Sequence, residues 1–561
     1  MRIEGKHGLN VVLRNPSLEF LQSTRAVDLE GYAAPNLEYQ LAGLTGYGNG
    51  ENWRFLHQIF FKLADRVPEQ SFLEATAEKL VYKYACGGST LVASYELDAN
   101  RLLVSFQTEK KCDALLHAKI FADIRHMYAT SEPEKHAIEK KDCGLVVSKE
   151  GRRLGVACKN AVHVSTTRER LKWWFPAENE EREVLEAGEL TCALPCVISV
   201  ECSPTDVRVP PRLSLSKIRL RKAFAENGFA RERVKALSTF SLNGFPEAGG
   251  LWFRNNWFRD SFEGLLNNYG FYEKACPSIT TNALKAARAT LKNGLVANKL
   301  PEHAGEKPSY NALDSTLLYY LLCLRKGVFS LREFKQTLSR FKQKDSEVFL
   351  DGLLYSPANY SWTDELVDIA GIRFPTRLPK DWLSKVSEPC ALLEINALWQ
   401  RLLLEARQYD LASQHAAEFK KHFIPNFPHV RGLKKEAREF HSAKIVALAL
   451  LDFPRSFVKK QFELAKPFLA FKNKKLFGVA VNPSSEWQYQ GKSVWPRDTP
   501  YLLRVLGKLG LQKEQRELLE SSLEPGSCLF YAQECYSFPD LKPLKNPIQY
   551  WSHYVQPFVT A

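Results

Sequence analysis

Nowhere does the 561-residue chain run to ~18 consecutive apolar residues, so no segment reads as a membrane-spanning helix. The opening Met1-Arg-Ile-Glu-Gly-Lys-His lacks an apolar core of signal-peptide length, and the expectation is a soluble, cytoplasmic protein with no membrane partner. No C-x-x-C pair occurs. The twelve cysteines are scattered, the closest spacings being Cys192…Cys196…Cys202 and Cys528…Cys535, and many sit in apolar segments such as that around Cys323. That pattern argues against a disulfide framework or a zinc site and for buried free thiols. The twelve histidines contain no H-x-x-x-H pair, so neither a metal nor any other cofactor is assigned. Charge of one sign is not concentrated either. A formal +14 suits a nucleic-acid partner in principle, but 77 basic residues are spread along the chain among 63 acidic ones. The densest run, Ser216–Lys222, alternates charge with apolar residues, as a solvated surface segment does. No nucleic-acid role follows. Composition, 45% hydrophobic and 25% charged, is that of a globular protein, and the length suggests two domains or more.

What is present divides into two grammars. Residues 1–205 read as β. Lys79–Tyr84, Leu91–Leu97 and Leu102–Phe106 are β-rich runs separated by Gly87-Gly88 and by Asp98-Ala-Asn100. A further hairpin joins Leu145–Val147 to Leu154–Ala157 through Lys149-Glu-Gly151, and an antiparallel sandwich closes such a set. Ser203-Pro-Thr-Asp-Val-Arg-Val-Pro-Pro211 breaks the pattern, which places a linker at 206–225. From 226 to 561 the period becomes helical. Leu392, Ile395, Leu398, Trp399, Leu402 and Leu403 share one spacing, and Tyr501, Leu502, Val505, Leu506 and Leu509 another, with Gly510 placed to end that helix. Similar patterns cover Leu284–Lys292, Ser315–Leu324, Leu331–Lys342, Leu411–Phe423, His441–Leu451 and Leu511–Leu523, which suggests one large all-α domain.

In this half tryptophan recurs beside carboxylates: Trp257-Phe-Arg-Asp260, Trp362-Thr-Asp364-Glu365 and Trp495-Pro-Arg-Asp498. An aromatic ring covers the C–H face of a sugar while Asp or Arg takes its hydroxyls. One such tetrapeptide is better described as a core tryptophan beside a helix-capping aspartate. Three of them favour a carbohydrate site. Glycoside hydrolysis needs two carboxyls on opposite faces of a sugar, from loops far apart in sequence. Asp364 and Glu534 meet that requirement, and so do Asp260, Asp314, Glu394 and Asp498; spacing does not choose among them. Glu394 lies within an apolar helical pattern, where its charge needs a partner such as Arg259 or Arg377.

Six segments, in order, resemble the amylo-α-1,6-glucosidase domain of prokaryotic glycogen debranching enzymes. They are Ala248–Phe262, Tyr310–Leu317, Gly352–Asp364, Thr376-Arg377 with the hexapeptide Glu394-Ile-Asn-Ala-Leu-Trp399, Gln490–Pro496, and Tyr531–Tyr536 with Gln549–Ser552. The hexapeptide is the most specific. The resemblance implies an (α/α)6 barrel behind a β-sandwich, glycogen or another branched α-glucan as partner, and hydrolysis with inversion. By position Asp364 becomes the general acid and Glu534 the base for water. Trp257, Arg259, Asp260, Asp314, Trp362, Arg377, Glu394, Trp495 and Trp551 become substrate-binding. Asp364 must then stay protonated, and the two carboxyls should lie ~6.5–9.5 Å apart. Some positions depart from the family pattern: Glu365 follows Asp364, Leu378-Pro379 follows Thr376-Arg377, Tyr489 stands where a histidine is usual, and Arg497-Asp498 where an aromatic is common. Other substrates of the same fold, as in an α-1,4-glucosidase or a trehalase-like enzyme, and a non-catalytic glycan-binding derivative are the rival readings.

Overall fold

The computed structural model of the chain describes residues 2–3, 10–15, 17–23, 43–48, 51–64, 66, 69–86, 88–98, 100–126, 129, 132–175, 180–204, 213–302, 305–343, 345–346, 348–356, 366–369, 372–375, 390–431, 436–484, 489 and 491–560. Sixteen of the strands that precede the first α-helix among these residues form two sheets. They are β1 Arg2–Ile3, β2 Asn10–Arg14, β3 Leu18–Ser23, β4 Gly43–Gly48, β5 Glu51–Leu63, β6 Glu69–Ala75, β7 Lys79–Cys86, β8 Ser89–Asp98, β9 Arg101–Thr108, β10 Leu116–His126, β11 Ala137–Lys141, β12 Gly144–Lys149, β13 Arg152–Cys158, β14 Ala161–Phe175, β15 Glu180–Cys192 and β16 Cys196–Ser203. A nine-stranded sheet runs β1-β6-β7-β8-β9-β16-β13-β12-β11, and a seven-stranded sheet runs β14-β15-β10-β5-β4-β3-β2. All their pairings are antiparallel.

Period-2 burial builds this domain. β9 alternates exposed Arg101 with buried Leu102, Val104 and Phe106, so one face turns to water and one to the core. Across the core Phe20 of β3 stacks on Tyr95 of β8 at 5.4 Å. The β12–β13 hairpin turns on Glu150 and Gly151, both at positive φ, as a two-residue hairpin turn requires.

Twelve α-helices follow among the described residues: α1 Gly228–Leu237, α2 Phe258–Asn267, α3 Tyr269–Ala275, α4 Ser278–Thr290, α5 Leu313–Lys326, α6 Leu331–Phe341, α7 Leu393–Glu405, α8 Tyr409–Phe423, α9 Ala443–Leu450, α10 Arg455–Ala465, α11 Thr499–Leu509 and α12 Gln512–Ser522. Helices α2, α5, α7, α9 and α11 are neighbours in succession, and α4, α8, α10 and α12 each pack against one or two of them. Burial follows this arrangement. In α7 Leu393, Ile395, Leu398, Trp399, Leu402 and Leu403 cover most of the circumference and all are buried, whereas α6 buries only the stripe Phe334, Thr337, Leu338 and Phe341. Helix α11 ends where expected, on Gly510 in the left-handed region at φ 77°. No helix among the described residues is long and apolar enough to cross a membrane.

The two halves meet on buried charge. Arg14 of β2 binds Glu19 of β3 at 2.8 Å and Glu247 of the helical half at 2.6 Å, and Arg254 binds Glu247 at 3.1 Å, all four side chains being no more than 1% exposed. Glu19 also accepts the backbone N–H of Leu251. Strand β2 reaches the far end of the chain too, where Asn10 exchanges backbone hydrogen bonds with Ser527 and Leu529.

Candidate active site

Trp257 is the N-cap residue of α2, so Arg259 and Asp260 fall in its first turn and Glu263 one turn later on the same side. The helix begins before Asp260, which is therefore not the N-cap that its position ahead of Ser261 suggests. Its Oδ1 instead accepts a hydrogen bond from Gln549 Nε2 at 3.0 Å. Arg259 lies 3.5 Å from Asp260 and 3.9 Å from Asp314, which opens α5 and takes the N–H of Ser315 on its Oδ1. The sequence-distant Asp260 and Asp314 are thus brought to one guanidinium. Both are buried, at 3% and 0% exposure.

The aromatic wall beside them comes from the C-terminal part of the chain. Trp551 has two arginines at its ring, the guanidinium of Arg259 at 5.3 Å and that of Arg497 at 5.1 Å. Trp495 meets Trp551 edge-on at 5.6 Å, and Tyr489 meets Trp495 at 5.1 Å. Trp495 is buried, and its indole N–H donates to the Tyr489 carbonyl and the Ser493 hydroxyl, so its visible duty is to hold this wall together. Trp257 is half-buried, with Arg259 and Lys299 over its ring at 6.0 and 5.7 Å. It is less enclosed than Trp495 and Trp551.

Glu534 stands at the other end of the wall, 1% exposed. Tyr489 donates its hydroxyl to Oε1 at 2.6 Å, and the Asn546 backbone N–H donates to Oε2 at 2.9 Å. A buried carboxylate needs such donors. Asn546 in turn donates its side-chain amide to the Gly250 carbonyl at 2.9 Å, tying Glu534 to the Gly249-Gly250 turn. A Cβ on Gly249 would stand 2.5 Å from the Ile548 carbonyl, so this close approach of two backbones requires glycine.

Two participants, Glu263 and Gln549, were not singled out as site residues from sequence. Glu263 is fully buried near Arg497, and burial pushes its carboxyl up to about 7 against the pull of that arginine. Arg497 and Asp498, 3.4 Å apart, belong to the Trp495-Pro-Arg-Asp498 motif, in which Asp498 is one of the candidate carboxylates. Gln549 orients Asp260. The one signal in the sequence was the helical spacing of Glu263 from Asp260. Glu394 opens α7, buried at 2%, near enough to Cys390 to add to the burial that holds that thiol up to about 12. Asp364, Trp362 and Arg377 lie outside the described residues, and with them the distance between the two carboxyls.

Chemically, the described cluster is a buried set of carboxylates, guanidiniums and a carboxamide beside aromatic rings, the combination that takes hydroxyls in directed hydrogen bonds and a ring face by stacking. A separate cleft lined by Leu404, Phe419, Phe453 and Phe457 contains none of these residues.

The model of the amylo-alpha-1,6-glucosidase family matches residues 244–424, less than half of the chain. No curated protein matches the chain. Among solved structures the chain is similar to the GH63 mannosylglycerate hydrolase from Thermus thermophilus in complex with Tris and D-glycerate, at 11% identity and a TM-score of 0.43 over 59% of this chain and 99% of that one. It is similar also to the GH78 family rhamnosidase of Bacillus sp. GL1, at 11% identity and a TM-score of 0.43 over 78% of this chain and 49% of that one. The matched segment, which carries Trp257, Arg259, Asp260, Asp314 and Glu394, is related to a family of glycoside hydrolases.

Proposed function

We propose that this chain is an inverting glycoside hydrolase that removes α-1,6-linked glucose from branched α-glucan, with Asp364 as general acid and Glu534 as general base. One observation carries the reading: Glu534 is linked through Tyr489, Trp495 and Trp551 to Arg259, Asp260 and Asp314, so a buried carboxylate and a hydroxyl-binding cluster belong to one continuous wall. In this reading the helical half closes as an (α/α)6 barrel, with α2, α5, α7, α9 and α11 among its inner helices. Glucose lies on Trp257, its hydroxyls taken by Asp260, Asp314 and Arg259. Asp364 gives its proton to the glycosidic oxygen, Glu534 takes one from water, and the water adds from the face opposite the leaving group. Trp362 and Arg377 complete the subsite, and the family-model match across residues 244–424 supports placing Asp364 and Arg377 there. The cell compartment in this reading is the cytoplasm.

The test is glucose release from glycogen limit dextrin, isomaltose, maltose and trehalose, with the anomer first formed read by NMR. Limit dextrin should be preferred and β-glucose should appear first. Replacing Glu534→Gln should cost about a hundredfold to ten-thousandfold in rate while the protein stays folded. Undiminished turnover in that variant, or glycogen binding without glucose release by the unaltered chain, overturns the proposal.

A further inference from the structure

Cys158 closes β13, Cys192 closes β15 and Cys196 opens β16. Although Cys158 stands far ahead of the other two in sequence, the three sulfurs lie within 4.8 Å of one another. Each side chain is nearly sealed, at 1%, 0% and 3% exposure, and each is a free thiol. The three strands belong to both sheets: β13 and β16 are neighbours in the nine-stranded sheet, and β15 is in the seven-stranded one. The sulfurs therefore meet where the chain crosses from one sheet to the other through Ala193-Leu-Pro195. Asn160, Pro195 and Val197 are exposed, so the cluster lies just beneath the surface at one end of the sandwich.

Three sulfurs gathered from three strands form a preassembled soft-ligand set. Thiolates prefer d10 cations such as Zn2+ and Cu+. A zinc–sulfur bond of ~2.3 Å places tetrahedral ligands roughly 3.8 Å apart, within a small contraction of the spacing seen. We propose that Cys158, Cys192 and Cys196 together bind one thiophilic d10 cation that staples the two sheets at their crossover. Zn2+ would use the three sulfurs and a water from the exposed side; Cu+ would be satisfied by three sulfurs alone. Binding requires loss of the thiol protons to solvent as the metal–sulfur bonds form, with no change in oxidation state. The glucosidase chemistry uses none of these residues, so the two proposals stand or fall separately.

The experiment uses the full-length chain, reduced and stripped by chelator, then titrated in separate arms with Zn2+ alone and with Cu+ alone. One equivalent should bind in at least one arm, and Co2+ in place of zinc should develop sulfur-to-metal charge-transfer absorption. Alkylation mapped by mass spectrometry should show Cys158, Cys192 and Cys196 protected by the metal, while Cys112 and Cys143 react as before. Cys192→Ser should weaken binding at least tenfold and Cys143→Ser should leave it unchanged. Absence of stoichiometric binding and of protection in the unaltered chain overturns the proposal, whether or not any variant folds. So does undiminished binding by Cys192→Ser, or a disulfide found between two of the three in the chain as isolated.

Discussion

At the scale of single residues, the candidate site is a matter of how buried charge is kept tolerable. Glu534 is held by donors from Tyr489 and Asn546, and Asp260 by Gln549. The tyrosine where a histidine is usual thus stands directly on the proposed base, so that departure concerns the chemistry itself. Glu263 is handled differently, since burial raises its carboxyl from the ordinary 4.5 to about 7. The folded chain keeps this proton up to about pH 7, whereas the unfolded chain releases it near 4.5. Between those values the folded state binds more protons, and stability from this group falls as pH rises. Glu263→Gln should remove that dependence. Urea unfolding from pH 4.5 to 7.5 should show the stability difference between the two proteins changing by about 3 kcal/mol across the window, wild type losing ground as pH rises. A constant difference would mean that Glu263 is ionised in the fold throughout. The pairing of Glu263 with Arg497 was not legible from residue identity, because a glutamate in a helix carries no mark of an arginine from a distant loop that will face it.

At the scale of elements, the hexapeptide Glu394–Trp399 shows how one helical turn and a half serves several ends. Glu394 opens α7 and Trp399 is sealed in the core. Asn396 pins the strand Leu353–Tyr355 to the helix: its Oδ1 accepts the Leu354 N–H at 2.8 Å and its Nδ2 donates to the Leu354 carbonyl at 3.0 Å. Asn396→Ala leaves both buried backbone groups of Leu354 without that partner, which should cost about 3 kcal/mol in thermal or urea unfolding. A loss under about 0.5 kcal/mol would show that the strand repairs itself. Helices with strong apolar period were readable to within a few residues, α11 at both ends. Strands β14 and β15 were not, because Arg168-Glu-Arg170 and Glu180-Glu-Arg-Glu183 break the alternation that marks a strand. β14 is an edge, where Arg170 pairs with Glu183 of β15 across the ribbon, and charge there discourages pairing with other chains.

At the scale of the whole molecule, the β-sandwich is joined to the loops that carry the candidate site. Arg14 and Glu19 grip Glu247, Arg254 and the Leu251 N–H, just before α2, while Asn10 pairs with the segment 527–529 that leads to Glu534. Glu247→Ala should leave two arginines facing the sealed junction and destabilise the protein by about 3–5 kcal/mol. The measurement is denaturant unfolding followed by glucose release at a temperature where the variant is still folded. A near-neutral effect would show that the junction admits water. The sequence by itself determined the change from β to helical grammar, most helices of the second half and the tryptophan–carboxylate motifs, because periodicity and short motifs are local properties of a chain. Only the tertiary structure decided which buried carboxylate meets which donor, that Trp495 supports the wall, that three scattered cysteines converge, and that the β domain holds the loop of Glu534. Those are contacts between residues remote from one another along the chain, and they exist only once apolar burial has brought the strands and helices together.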